Sequence, residues 1–128
     1  MSDVDRFILA AMEAKNLPPV SSADRQTLYR RIALDLTGLP PTPAEVEAFV
    51  SNPSSKALEG AIDQFLASPR FGEKWARHWL DVARYAESTG KTFNFSYPHA
   101  WRYRDYVIAA FNSDKPFDQF KRAGASRS

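Results

Sequence analysis

Between Glu73 and Thr89 the chain reads EKWARHWLDVARYAEST. Arginine, histidine, aspartate and tyrosine recur there at helical spacing. These are the groups from which proton transfer, metal ligation or a directional hydrogen-bonded network is built. His78 and Asp81 are three residues apart, so on a helix the carboxylate can meet and orient the imidazole. Asp81 also reaches Arg77 or Arg84, and Tyr85 lies one turn further on. A catalytic reading makes His78 a proton carrier or a metal ligand held by Asp81. The ligand set would then be His78, Asp81, Glu87 and His99, at spacings that match no metal motif. A structural reading makes the same groups a network that docks the helix against residues 87–98 and the next helix. The residue types favour the structural reading, because such groups tolerate partial burial when paired. No catalytic residue and no metal site is assigned.

A second block, WRYRDY, sets Arg102, Arg104 and Asp105 among Trp101, Tyr103 and Tyr106. Interleaved bases and rings can stack nucleobases or sugars. They more often pair with nearby carboxylates and lie over rings. Acids balance the bases in every helix, so nucleic acid is disfavoured as a partner. The segment around LTGLPPTPAEVEAF resembles a helix-turn-helix in outline. Glu45 and Glu47 would occupy its groove-reading positions and repel phosphate, so it reads as a plain helical hairpin. No Gly-rich phosphate loop and no nucleophile-elbow serine is present.

The elements that must hold these groups are helical. Val4, Phe7, Ile8, Ala11 and Met12 predict a first helix over 3–15 with a buried face, stopped by Pro18 and Pro19. Ser21 or Ser22 can cap the second, with Asp24 favouring its positive end. Leu28, Ile32, Leu36 and Leu39 should line its inner side, and Tyr29 should lie toward solvent. Thr42, Pro43 and Glu45 form a capping box with the favoured proline for a third helix. A fourth runs over about 56–67, with Leu58, Ile62, Phe65 and Leu66 inward.

Ser68 and Pro69 open the fifth helix, which should continue to about Ala86. Its apolar face is Trp75, Ala76, Trp79, Leu80, Val82, Ala83 and Ala86. Trp75, Trp79 and Trp101 are the expected core anchors, and losing either helix-5 tryptophan should cost roughly 3–5 kcal/mol if fully buried. Residues 87–98 read as an aromatic loop with room for a short extended piece. A sixth helix follows over 99–112, then a short one from Pro116. The expected architecture is all-α: an orthogonal multi-helix domain of about six helices with one longer aromatic loop. Residues 1–120 form a single domain, and 121–128 a disordered tail.

The 128 residues suffice for one core, and 13% aromatics should fill much of it. Seventeen Lys and Arg against fifteen Asp and Glu leave a net charge of only +2. The absence of cysteine excludes disulfides, thiolate metal sites, iron–sulfur clusters and covalent c-type haem within this chain. No apolar run is long enough to span a membrane, and SDVDRF after Met1 has no signal-peptide pattern.

Four blocks carry a resemblance: VDRFILAAMEAKNLPP, ADRQTLYRRIALDLTGLPPTPAEVEAFV, SPRFGEKWARHWLDVARYAES and YPHAWRYRDYVIAAFNSDKPFDQF. In order and spacing, over residues 4–120, they resemble a cytochrome-associated planctomycete domain of unknown function, domain 1549. The resemblance implies a module of large exported proteins at the periplasm or cell surface. A cytochrome-c-like domain often precedes this region, a second domain of unknown function usually follows, and carbohydrate-binding-like modules sometimes join them. No catalytic residue comes with it. It implies a noncatalytic scaffold or interaction module with other domains or subunits as partners. A glycan is the alternative partner. Haem is expected only in the neighbouring domain of relatives, so no cofactor is expected here. Two other readings stay open: a carbohydrate-active enzyme using Asp81, Glu87 or Asp105, and non-covalent haem or metal binding through His78 or His99. KRAGASRS departs from the family pattern, which suggests a truncated or fragmentary chain. The relatives are exported, but without a signal-peptide pattern the location of this chain stays open, the cytoplasm included if it is a fragment.

Overall fold

Helix ends organise this molecule. A computed structural model describes residues 2–54, 56–90 and 92–125, the side chains of 123–125 excepted. The described residues form seven α-helices: α1 (Asp3–Glu13), α2 (Arg25–Thr37), α3 (Pro43–Ser51), α4 (Lys56–Leu66), α5 (Pro69–Val82), α6 (Ala100–Asn112) and α7 (Phe117–Ala125). No strand occurs among them, and one antiparallel bridge joins Ser88 to Ser96. The chain is all-α, as expected. Residues 121–125 are helical rather than a disordered tail, because Phe120 is buried and docks α7 on Trp79 and Tyr106. Residues 126–128 lie outside the described part.

The N-termini follow local sequence. In α3 the Thr42 hydroxyl accepts from the Glu45 amide (3.3 Å) and the Glu45 carboxylate accepts from the Thr42 amide (2.7 Å). The Thr42 amide and hydroxyl, both donating to the Glu45 carboxylate at 2.7 Å, hold the Glu45 carboxyl below the usual carboxylate range. Asp24 rather than Ser21 or Ser22 caps α2, its carboxylate accepting from the Thr27 amide at 2.8 Å. Asp24 is the residue next to the first helical turn, so its carboxylate reaches the orphan amides that the serines miss.

Four of the C-termini bend through left-handed residues. Gly38 (φ 74°) closes α2. Asn16 (φ 54°), Arg84 (φ 52°) and Asp114 (φ 46°) do the same for α1, α5 and α6. Past each of these three, the next amide returns to a carbonyl five residues back: Leu17 to Met12, Tyr85 to Leu80, Lys115 to Ala110. Asparagine and aspartate tolerate that conformation. For arginine it costs roughly 1–2 kcal/mol. This turn at Arg84 ends α5 at Val82, four residues before the expected Ala86.

Other helix ends are satisfied from a distance. Arg25 donates to the Phe49 and Asn52 carbonyls at the end of α3 (2.9 and 2.6 Å), its guanidinium 4.4 Å above the Phe49 ring. The Lys74 ammonium donates to the Leu34 carbonyl (2.9 Å) and to that of Asp35, tying α5 to the end of α2. The Asn112 side chain accepts from the Gly72 amide (2.8 Å) and donates to the Pro69 carbonyl (3.2 Å), so α6 caps the start of α5.

Two apolar clusters result. Tyr29, Ala33, Phe49, Ala61 and Phe65 join α2, α3 and α4. Ala76, Val107, Ala110 and Phe120 join α5, α6 and α7, with Trp79, Leu80, Tyr103 and Tyr106 packed around them. Tyr29 is therefore core, not solvent-facing: its ring stacks on Phe49 (4.6 Å between centroids) and meets Phe65 (5.3 Å). Ala33, one turn on, is small enough to let α4 approach, while Leu39, past the left-handed stop at Gly38, lies outside α2 and is exposed. The α1 expectation also fails in its packing. The helix forms, capped by Ser2 and Asp5, yet none of its described residues is buried and Phe7 is 79% exposed.

Candidate functional site

The left-handed turn at Arg84 sets the path of the chain beyond α5. Leaving the helix there, the backbone carries Tyr85 over the side of α6, where its ring lies 6.3 Å from that of Tyr103. The Tyr85 hydroxyl donates to the Glu87 carboxylate (3.0 Å). The same oxygen of Glu87 accepts from Arg104 Nη1 at 2.7 Å, and Arg104 Nε donates to Asp105 at 3.1 Å. Tyr103 in turn accepts from the Trp79 indole N–H at 2.8 Å. A continuous polar edge thus runs from Asp105 through Arg104 and Glu87 to Tyr85 and, by ring contact, to the α5–α6–α7 core.

Desolvation, and then the bond to Glu87, push the Tyr85 hydroxyl above the usual tyrosine range. Hydrogen bonding to Asp105 raises Arg104 further above its ordinary value. The pairs are solvent-accessible, and water screens such pairs so that each adds little to stability. The edge orients the loop rather than stabilising the fold strongly.

The expected network therefore divides. Tyr85, Glu87, Arg104 and Asp105 converge. Among the described residues, no side-chain hydrogen bond or ion pair connects Arg77, His78, Asp81 or Arg84 to it. His78 is exposed, its ring 5.4 Å from that of Trp75. His78 and Asp81 do not form the expected pair, and Asp81 instead contributes its backbone carbonyl to the turn at Arg84. The Arg102 guanidinium lies 5.7 Å from the Trp101 ring.

The expected anchors divide as well. Trp79 packs edge-on against Phe120 at 4.9 Å and is a core residue. Trp75 is half-buried, with an indole N–H that is enclosed without a protein partner. Trp101 is 47% exposed and anchors nothing in the core, because α6 turns Tyr103, Val107 and Ala110 inward instead. On α5, Val82, Ala83 and Ala86 of the predicted apolar face are exposed, since the helix ends there.

Residues 87–90 and 92–98 form a hydrogen-bonded loop. The Thr89 amide donates to the Phe95 carbonyl (3.0 Å) and the Tyr97 amide to that of Glu87 (2.7 Å). The Thr89 hydroxyl donates to the Phe93 carbonyl and accepts from the Phe95 amide, both at 3.1 Å, and Asn94 accepts from the Gly90 amide at 3.0 Å. The short extended piece expected here is this paired stem. It holds its rings outward: Phe93 is 78% exposed and Phe95 69%, beside a shallow groove they line with Thr89 and Thr92.

Sequence reasoning missed Tyr103, Asn112, Lys74 and Gly72. Gly72 carried a usable signal. Glycine inside a helix costs about 1 kcal/mol against alanine, so its place in RFGEKW asks for a reason. A Cβ there would stand 2.5 Å from the Asn112 side chain and 2.6 Å from the Ile108 carbonyl.

Among the described residues, no group of three or more His, Cys, Asp or Glu is placed to hold a metal. No helix among the described residues is long and apolar enough to cross a membrane. The sequence model of the PSCyt2 family, described as Protein of unknown function (DUF1549), matches residues 3–124. The chain belongs to that family. Neither the curated proteins nor the solved structures compared gave a match. The family's extent takes in every helix start, the polar edge and the aromatic loop, so all three lie within the family's domain.

Proposed function

We propose that the chain is a noncatalytic docking module that positions neighbouring domains or a partner protein, in the redox or polysaccharide-processing setting that its family resemblance implies. One observation carries the reading. The charged groups that converge are already paired with one another, while the rings beside them stand in solvent on a hydrogen-bonded loop. Preorganised rings lose little entropy on binding and are typical of interface anchors.

The carbohydrate-active alternative gains less support. Glycoside hydrolysis needs two carboxyl groups flanking an open site about 5–9.5 Å wide. Here Glu87 and Asp105 both bind one guanidinium, and Asp81 stands apart from them. Haem or metal binding through His78 or His99 finds two exposed imidazoles, neither in a group of three or more His, Cys, Asp or Glu among the described residues.

The test uses the purified chain and the following or preceding domain of a longer relative, supplied in trans. Co-elution is expected, lost on Phe95→Ser or Trp101→Ser with the helical circular dichroism unchanged. Turnover on a glycan panel, abolished by His78→Ala in a folded protein, would overturn the reading. A haemin titration with a Soret shift, or metal retained through purification, would favour the third reading.

A further inference from the structure

Two apolar surfaces of the described chain are uncovered, and they complement each other. The first is α1. Its start is capped by Ser2 and Asp5 and its end by Asn16. Val4, Phe7 and Ile8 nevertheless face solvent. An isolated helix of eleven residues is marginal in water, so its apolar face requires a cover. The second is a cleft between α5, α6 and α7 of about 310 Å³, walled by Phe71, Trp79, Phe111, Phe117 and Phe120. The Phe117 ring at its mouth is exposed.

We propose that α1 of one copy seats its Phe7–Ile8 face in this aromatic cleft of a second copy, and that the exchange is reciprocal. Charge supports the choice of occupant. In α1, Asp3, Asp5 and Glu13 outnumber Arg6. At the cleft, Lys115 in the wall and Lys121, 4.8 Å over the Phe117 ring, outnumber Asp114. An α1–α1 pair would instead set acid against acid in either orientation. The tether allows it: residues 17–22 are exposed and non-helical, and Pro18 and Pro19 hold them extended. Reciprocal exchange closes on a two-fold axis and leaves no open end for further addition. The inference stands apart from the docking function, whose rings lie on the 87–98 loop.

The chain has no cysteine, so single cysteines report proximity cleanly. Phe7→Cys and Phe117→Cys proteins, each checked for helical circular dichroism, are mixed under mild oxidation. A mixed disulfide dimer is expected, forming faster than either self-pair. Lys121→Cys on the same rim replaces Phe117→Cys should that variant not fold. Sedimentation of the unmodified protein should show a concentration-dependent dimer, its dissociation constant raised about tenfold or more by Ile8→Asp. A monomer at every concentration overturns the proposal. So does preferential Phe7–Phe7 crosslinking, crosslinking within one chain in the double variant, or a dimer indifferent to Ile8→Asp.

Discussion

The α2–α4 half and the α5–α7 half use their aromatic rings differently. In the first, Tyr29, Phe49 and Phe65 pack into one closed cluster, and Arg25 seals the end of α3 over the Phe49 ring. In the second, Trp79, Tyr103, Tyr106 and Phe120 pack inward, while Phe93, Phe95 and Trp101 on the connecting loop and helix start stay in solvent. Aromatic content alone cannot separate the two uses. The backbone separates them: three short helices with tight connections enclose their rings, whereas the turn at Arg84 throws a long loop clear of the core. The first half is built to be stable, the second to be stable on one side and available on the other.

The contrast is broken most sharply by deleting equivalent rings. Phe49→Ala should cost roughly 3–5 kcal/mol in urea unfolding. Phe95→Ala should change stability by no more than about 0.5 kcal/mol. Equal losses would show that the loop rings are structural. Trp79→Ala belongs with Phe49→Ala, though half-burial places it nearer the lower end.

Next in size is the α5–α6 crossing. Gly72→Ala puts a Cβ against the Ile108 carbonyl, which cannot move without shifting α6, and displaces the Asn112 cap. Overpacking typically costs about 1–3 kcal/mol and a lost hydrogen bond about 1 more, so a loss of about 2–4 kcal/mol is expected. The link between the halves should cost less. Lys74→Met removes a cation from the α2 carbonyls and should lower stability by about 1–2 kcal/mol. If the halves unfold separately in that variant, calorimetry will show two transitions where the parent shows one.

Arg84→Gly should raise stability by about 0.5–1 kcal/mol, because glycine accepts the left-handed backbone that arginine resists. Tyr103 and Glu87 keep their partners in that variant, so near-ultraviolet circular dichroism should not change. The smallest effect is in pH. The folded Glu45 carboxyl ionises below its unfolded value of about 4.3, so its contribution is complete above that value. It is lost as pH falls through the lower folded value. Thr42→Ala removes one of the groups responsible, and the acid limb of the stability profile should flatten.

Much of this was readable in the sequence. Helix starts were, because a cap is decided by a few adjacent residues: Thr42, Pro43 and Glu45 specify theirs wherever the chain goes. The all-α class and family followed from periodicity and four ordered blocks. Of the proposed polar network, Tyr85, Glu87, Arg104 and Asp105 came together, while His78 and Asp81 did not. Their helical spacing permits contact but does not compel it, and the left-handed turn at Arg84 has no signature when the residue is not glycine.

Local sequence thus determined the capped starts of α3 and α5 and that α1 forms at all. Only tertiary structure decided which way each helix faces. Tyr29 went inward because Phe49 and Phe65 from distant segments surround it, and Trp101 went outward because Val107 and Ala110 took the interior. Caps act over three or four residues of chain, whereas burial depends on partners the chain brings from far away.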